Sequence, residues 1–312
     1  KEGEDLSRHD KWLCMMYPRL KLLCKLLSDE GAIFISIDDN ELYSLKYICD
    51  EIFGSSNYIS VITRPTGTHT GVVNRAIVGE SDYILVYAKK LSSATIDGLP
   101  LTEKDTKIYD MEDEHGRFLI RPLRRTGGEN RREDRPNMYF PITAPDGTQI
   151  YPIGPTGYES RWICNPEGYE YFKRENRIYW KQIVDGGETK WQVYQKFYLE
   201  DKKRAVSNLW DDLEGNKKAT RDVRAVFAEE DMSFDFPKPV QLIERIIQIA
   251  NDESAIILDS FAGSGTTAHA VLNMNKADGG NRKFILVEMM DYAESITAER
   301  VKRVINGYGE GK

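Results

Sequence analysis

Apolar residues recur at three- and four-residue steps at Trp12, Leu13, Met16, Leu20, Leu23 and Leu27, which predicts an opening amphipathic helix. Pro18 is expected to kink or restart it, and Asp29-Glu30-Gly31 marks its end. Ala32-Ile-Phe-Ile-Ser-Ile37 then reads as a short apolar strand, and Asp38-Asp39-Asn40 supplies the cap for a helix over roughly 41–53. Two more strands follow at Tyr58 to Thr63 and Tyr83 to Ala88, separated by a Gly/Thr/Asn-rich loop from Arg64 to Ser81. From about 91 to 232 this rhythm gives way to short aromatic and β-branched runs broken by Pro and Gly, as in Tyr139-Phe-Pro-Ile and Trp191-Gln-Val-Tyr. The α/β rhythm resumes with a helical stripe at Val240, Ile243, Ile246, Ile247 and Ala250. A strand at 255–259, a glycine turn, a helix at 266–275, a strand at 283–288 and a final helix at 291–305 follow. The expected fold class is therefore α/β, a doubly wound sheet interrupted by a β-rich insertion, with 1–90 and 233–312 on one side of the division and 91–232 on the other.

The glycine turn carries the most chemistry. Ile256-Ile-Leu-Asp259 reads as a buried apolar strand that runs into Gly263-Ser-Gly265 and then directly into a helix from Thr266. Two glycines let the backbone turn sharply and approach a ligand closely, and the free N–H groups at the helix start favour an anion. The second strand, Phe284-Ile-Leu-Val-Glu288, ends in a carboxylate placed to take two ribose hydroxyls. With Ala268 in the third glycine place the spacing also fits a dinucleotide site, and an ordinary strand-to-helix connection has the same outline.

Composition narrows the partners. The 312 residues carry a formal charge of -7, so contact with nucleic acid has to come from a local patch. One exists in the window 117–135, where Arg117, Arg121, Arg124, Arg125, Arg131, Arg132 and Arg135 stand against Glu129, Glu133 and Asp134, a local charge of +4. Arginine suits phosphate and guanine, and Gly127-Gly128 keeps the loop adaptable. Cys14, Cys24, Cys49 and Cys164 show no metal-ligand spacing, so neither zinc nor a disulfide is expected, and the thiols fit a cytoplasmic setting. His9, His69, His115 and His269 are scattered. No apolar run is long enough to suggest a membrane span. The sequence starts at Lys1 without a methionine, which suggests a piece of a longer product.

Asp259 and Phe261 before the glycines give D-x-F-x-G-x-G, and Phe236-Pro-Lys-Pro239 lies just upstream of the same helix–strand unit. The first resembles motif I, and the second motif X, of amino-group DNA methyltransferases. The segments from His9 to Leu20, from Gly31 to Glu41 and from Ser81 to Ala88 resemble the middle motifs of the β class, in which the cofactor motifs come last. Their wording, with Asp278-Gly-Gly-Asn-Arg-Lys-Phe-Ile-Leu-Val287, is similar to the modification subunits of type III restriction systems. The resemblance implies a circularly permuted Rossmann-like methyltransferase sheet. Its catalytic domain comprises 1–90 and an S-adenosylmethionine-binding part at 233–312, and its target-recognition domain is 91–232. By the same resemblance Asp259, Phe261, Ala262, Gly263 and Gly265 line the cofactor, Thr266 and Thr267 lie near its carboxylate, Glu288 holds the ribose, and Phe236, Lys238 and Pro239 close the methionine end. The Pro pair equally fits a plain helix start, and Asp38 and Asp39, at a strand's C-terminal end, fit either a cap or a ligand site.

One departure stands out. The family's catalytic Asp/Asn/Ser-Pro-Pro-Tyr is missing, since no Pro-Pro occurs in the sequence. The resemblance puts that motif upstream of Lys1, on a strand between those at 255–259 and 32–37, so the 312 residues alone are expected not to transfer methyl groups. The expected activity of the whole is methylation of the N6 amine of a flipped adenine in double-stranded DNA. Expected partners are a second copy and a helicase-nuclease restriction subunit. N4-cytosine methylation stays open, as do a nicotinamide-dependent oxidoreductase and a non-catalytic DNA-binding specificity protein. The loop Arg64 to Gly71 is a further candidate clamp on base or phosphate, or a plain surface loop. The 14 of 33 aromatics between Tyr139 and Tyr198 belong mostly to the insertion's own core.

Overall fold

The computed structural model describes residues 7–67, 79–200, 203–227, 234–250 and 252–308. His69 and the stretch 68–71 of the candidate clamp lie outside them. Helix α1 (Ser7–Leu26), β1 (Ala32–Ile37), α2 (Leu42–Phe53), β2 (Tyr58–Pro65) and β3 (Ser81–Ala88) come first. They are followed by α3 (Glu103–Thr106), β4 (Met111–Asp113), β5 (Gly116–Pro122), β6 (Ile142–Thr143), β7 (Gln149–Ile150), α4 (Pro166–Arg174), β8 (Ile178–Asp185) and β9 (Glu188–Tyr198). The chain closes with α5 (Asn216–Val226), α6 (Val240–Ala250), β10 (Ile256–Asp259), α7 (Thr266–Asp278), β11 (Lys283–Leu286), a π-helical turn at Ala293–Ala298 and α8 (Glu299–Asn306). These elements form two compact units, Lys1–Leu99 with Ala205–Lys312, and Pro100–Arg204. Residues 205–227, whose composition grouped them with the insertion, pack in the first unit through Trp210 and the Val223–Val226–Phe227 face of α5.

In the first unit β3 runs antiparallel between β1 and β2 and is buried on both faces. Leu85 and Tyr87 face Met16 and Leu20 of α1 and Leu45, Cys49 and Phe53 of α2, while Ile84 and Val86 face Trp210 and Leu242 and Ile249 of α6. Period-two alternation thus feeds two helical layers, and burying each such large side chain contributes about 1.5–3 kcal/mol. The parallel pair β10–β11 is a separate sheet, so the expected single sheet is divided between β1 and β10, each of which has a strand neighbour on one side only among the described residues.

Three local expectations are corrected. Pro18 does not restart α1, because the carbonyl it leaves without a donor belongs to Cys14, an exposed position where water can serve. Asp38 and Asp39 do not cap α2: its N-cap is Glu41 with no side-chain bond, and Asp38 instead accepts from the Asn40 amide and Nδ2 at 3.2 and 2.8 Å. The strand into the glycine turn is covered on one face only. Ile257 and Phe284 pack on Val240, Ile247, Ala270 and Val271, whereas Ile256 and Ile285 on the other face are 67% and 51% exposed.

The second unit is an antiparallel sheet in the order β4–β5–β9–β8, with the short β6–β7 pair and α4 beside it. Gly186 and Gly187, at φ 61° and 86°, close the β8–β9 hairpin, a two-residue turn that only left-handed backbone allows. Its core is Leu123, Ile142, Trp162, Cys164, Tyr169 and Val193, so the large aromatics of this stretch do serve packing. Among the described residues no helix is long and apolar enough to cross a membrane.

Candidate functional site

The glycine turn joins β10 to α7 with Gly263 and Gly265 both left-handed, at φ 53° and 78°. A Cβ on Gly265 would approach the Thr297 carbonyl oxygen to 3.1 Å, so the π-helical turn packs directly against this backbone. Two carboxylates fasten the turn. Asp259 accepts the Phe261 amide at 3.1 Å and the Thr267 hydroxyl at 2.6 Å. Glu288 Oε2 accepts the Gly263 amide at 2.9 Å, and its Oε1 accepts the amides of Met289 and Met290 at 2.9 and 3.0 Å. Burial would raise the Glu288 carboxyl, but the Met290, Gly263 and Met289 amides, helped by the Tyr292 hydroxyl, outweigh it and hold the group below the usual carboxylate range. The three amides take two places on Oε1 and one on Oε2, which leaves one lone-pair site of Oε2 open. A cleft of about 350 Å³ opens beside this carboxylate, lined by Phe284, Leu286, Glu288, Ala293, Thr297, Ala298 and Val301.

The structure brings most of the residues singled out in the sequence to this turn. Asp259, Ala262, Gly263, Gly265, Thr267 and Glu288 are bonded to one another or to the ends of β10 and β11, Thr266 bonds the Ser264 hydroxyl at 3.2 Å at the start of α7, and the Phe261 ring is 53% exposed beside them. Lys238 reaches the same place through its backbone, its carbonyl accepting the Thr266 hydroxyl at 3.2 Å. Its ammonium is held by Asp82 at 2.7 Å, a carboxylate that also receives Arg64 at 3.0 Å. Pro239 is buried at the start of α6. Phe236 is not brought in: its side chain is 87% exposed on a left-handed backbone at φ 58°.

Sequence reading missed the layer behind the turn. Arg300, wholly buried in α8, donates from Nη1 to the Ser264 carbonyl at 3.2 Å, the Ser264 hydroxyl at 2.9 Å and the Thr266 hydroxyl at 3.1 Å. Its Nη2 meets His269 Nδ1 at 3.2 Å, and His269 Nε2 meets the Tyr308 hydroxyl at 3.0 Å. A guanidinium only donates, so Nδ1 must accept, and His269 is the neutral tautomer protonated on Nε2. Burial, and then the charge of Arg300, push this imidazole down to about 4. Thr297 adds a bond to the Gly263 carbonyl at 2.5 Å. The signal was present in the pattern: Arg300 falls four residues after Ile296 and four before Val304, on the apolar phase of the last helix.

In the second unit the seven arginines divide. Arg117 is a strut, bonded from Nε and Nη2 to the Tyr109 carbonyl at 3.1 and 2.8 Å and from Nη2 to the Thr106 carbonyl at 3.0 Å. Arg124 bonds the Arg125 carbonyl at 3.3 Å, Arg131 lies over the Tyr158 ring, and Arg132 pairs with Glu159 at 2.9 Å over the Tyr139 ring. Arg121, Arg125 and Arg135 are exposed, and among the described residues no carboxylate pairs with them.

Comparison with known proteins identifies the family. The family model described as DNA methylase matches residues 1–299, and the chain belongs to that family. It is 35% identical over 300 residues to the type II methyltransferase M.KpnI of Klebsiella pneumoniae, covering 90% of this chain and 67% of that protein. It is also related to modification subunits. Identity is 36% over 286 residues to the type III restriction-modification enzyme StyLTI Mod subunit of Salmonella typhimurium, covering 90% of this chain and 41% of that protein. To the EcoPI Mod subunit of Escherichia phage P1 it is 33% over 312 residues, covering 90% and 46%. The chain thus spans less than half the length of these two type III relatives.

Proposed function

We propose that this chain is the cofactor-binding and target-recognition part of an S-adenosylmethionine-dependent DNA methyltransferase acting on the N6 amine of adenine, in a type III restriction-modification system. The observation that carries the reading is the double left-handed glycine turn, tied at one end to Asp259 and at the other to Glu288, at the N-terminus of α7. The residues present fit that cofactor. First-turn amides of α7 suit a carboxylate, the Thr266 and Thr267 hydroxyls line the same place, Glu288 suits a ribose hydroxyl, and the half-exposed Phe261 ring offers apolar cover. When bound, S-adenosylmethionine supplies an electrophilic methyl group. Asp259, Ala262, Gly263 and Gly265 shape its cradle, and Lys238 and Pro239 brace the start of α7 from the side of α6.

The second unit, within the 91–232 region, reads DNA. Arg121, Arg125 and Arg135 are the side chains free to meet phosphate or guanine, while Arg117, Arg124, Arg131 and Arg132 hold the loop's shape. The target adenine leaves the duplex to reach the methyl group. Because the sequence holds no Pro-Pro, the polar groups that localise the amine's lone pair are assigned to a segment outside these residues. A second copy of the subunit and a helicase-nuclease subunit are the proposed partners, working on DNA in the cytoplasm.

Isothermal calorimetry tests the reading. The chain is expected to bind S-adenosylhomocysteine and not NADH, and Gly263→Asp is expected to abolish that binding. The reverse preference would identify an oxidoreductase. DNA binding with no cofactor affinity would identify a specificity module.

A further inference from the structure

The layer behind the glycine turn has an unusual charge arrangement. Arg300 is sealed from solvent, its Nε has no acceptor, and every group it touches is neutral: Ser264, Thr266 and His269. Among the described residues no carboxylate lies within ion-pair distance of it, and Asp222, whose charge acts on it, is itself bonded to Lys218 at 3.1 Å. Asp259 and Glu288 serve the opposite edge of the turn, at Phe261, Thr267 and Gly263. A helix N-terminus already carries the positive end of the peptide dipoles, so a cation behind it has the wrong sign for stability. Burying such a charge unpaired is costly, and the structure keeps it where it raises the positive potential of the turn.

We propose that Arg300 is a positioning residue with an electrostatic duty: it fixes Ser264 and Thr266 and makes the turn selective for a cofactor that carries a carboxylate. The proposal rests on the reading of this turn as an S-adenosylmethionine site. The negative charge missing from the protein is then delivered by the ligand, at the first-turn amides of α7, with one layer of backbone and hydroxyls between it and the guanidinium.

Two ligands separate this duty from plain scaffolding. S-Adenosylhomocysteine carries the carboxylate, whereas 5′-methylthioadenosine keeps the adenosine and sulfur and lacks the amino-acid end. Calorimetric Kd values for both are measured on the full chain and on Arg300→Gln and Arg300→Lys, with thermal melting to verify folding. Arg300→Gln, neutral but still a donor, is expected to weaken S-adenosylhomocysteine by roughly tenfold while methylthioadenosine changes by less than about twofold. Arg300→Lys, which keeps the charge, is expected to retain the wild-type ratio of the two affinities within about twofold. Equal weakening of both ligands in the Gln variant, or collapse of the ratio in the Lys variant, overturns the electrostatic duty. Wild-type chain that binds neither ligand sinks the cofactor reading itself, and the proposal with it.

Discussion

In the first unit the decisive arginine is sealed behind a glycine turn and bonded to a serine, a threonine and a histidine. In the second, Arg121, Arg125 and Arg135 stand in solvent with no acidic partner among the described residues, while their neighbours Arg117 and Arg132 are tied down. One residue type is therefore proposed for two jobs, set by surroundings. A buried guanidinium acts through a fixed field and precise geometry, so changing it alters affinity for one small ligand. Exposed guanidiniums act by displacing counterions from a polyanion, so changing them alters affinity in proportion to their number and to salt.

The largest effect that could break this contrast is expected at the turn. Gly265→Ala forces a side chain into a left-handed position and toward the Thr297 carbonyl at 3.1 Å, and is expected to weaken S-adenosylhomocysteine on the order of a hundredfold in calorimetry. DNA affinity measured by fluorescence anisotropy is expected to stay unchanged, and a parallel loss would erase the distinction between the two regions. The triple change Arg121→Ala, Arg125→Ala, Arg135→Ala is expected to do the reverse. It lowers DNA affinity about tenfold or more at low salt and reduces the slope of log affinity against log salt by up to about three, with cofactor affinity unaltered.

Acid sharpens the comparison. His269 stays neutral in the folded first unit down to about 4, but takes a proton at its ordinary value of 6.5 once unfolded. Its contribution is therefore complete above 6.5 and is lost as pH falls from there toward 4, on the order of 3 kcal/mol in all. In the second unit burial would raise the Asp113 carboxyl, yet bonds from Lys196, the His115 amide and Tyr198 bring it down to about 2, so its contribution persists until pH drops below 3.8. Chemical denaturation at pH 7 and 5, followed by hydrogen exchange, is expected to show the first unit losing protection ahead of the second. His269→Gln is expected to flatten that difference. Smaller changes complete the series: Arg117→Ala, which frees two backbone carbonyls, is expected to destabilise the second unit by about 1–2 kcal/mol, and Arg132→Ala, which removes an exposed pair, by less than Arg117→Ala does.

The turn and its flanking elements were legible because their signals are local. The unbroken apolar run from Tyr83 to Ala88 and the helical stripe from Val240 to Ala250 each report burial against neighbours that any α/β fold supplies. What stayed hidden depends on contacts distant in sequence. Glu288 reads as a ribose ligand in isolation, and only folding reveals that the Gly263 amide, 25 residues earlier, already occupies it. Arg64 shows the same limit, since its inward phase after Ile62 is visible in the strand but its partners Asp82 and Asn216 are not. The division of the seven arginines was equally beyond reach, because Arg117 and Arg121 differ only in which carbonyls lie nearby.

The engaged carboxylate of Glu288 also bears on kinetics. Three backbone amides hold it in place, two on Oε1 and one on Oε2, so an incoming hydroxyl would meet an acceptor that is already positioned and need not displace a bond first. On the proposed reading of this carboxylate as the ribose acceptor, cofactor binding is expected to be a single step, with an observed association rate in stopped-flow that rises linearly with cofactor concentration.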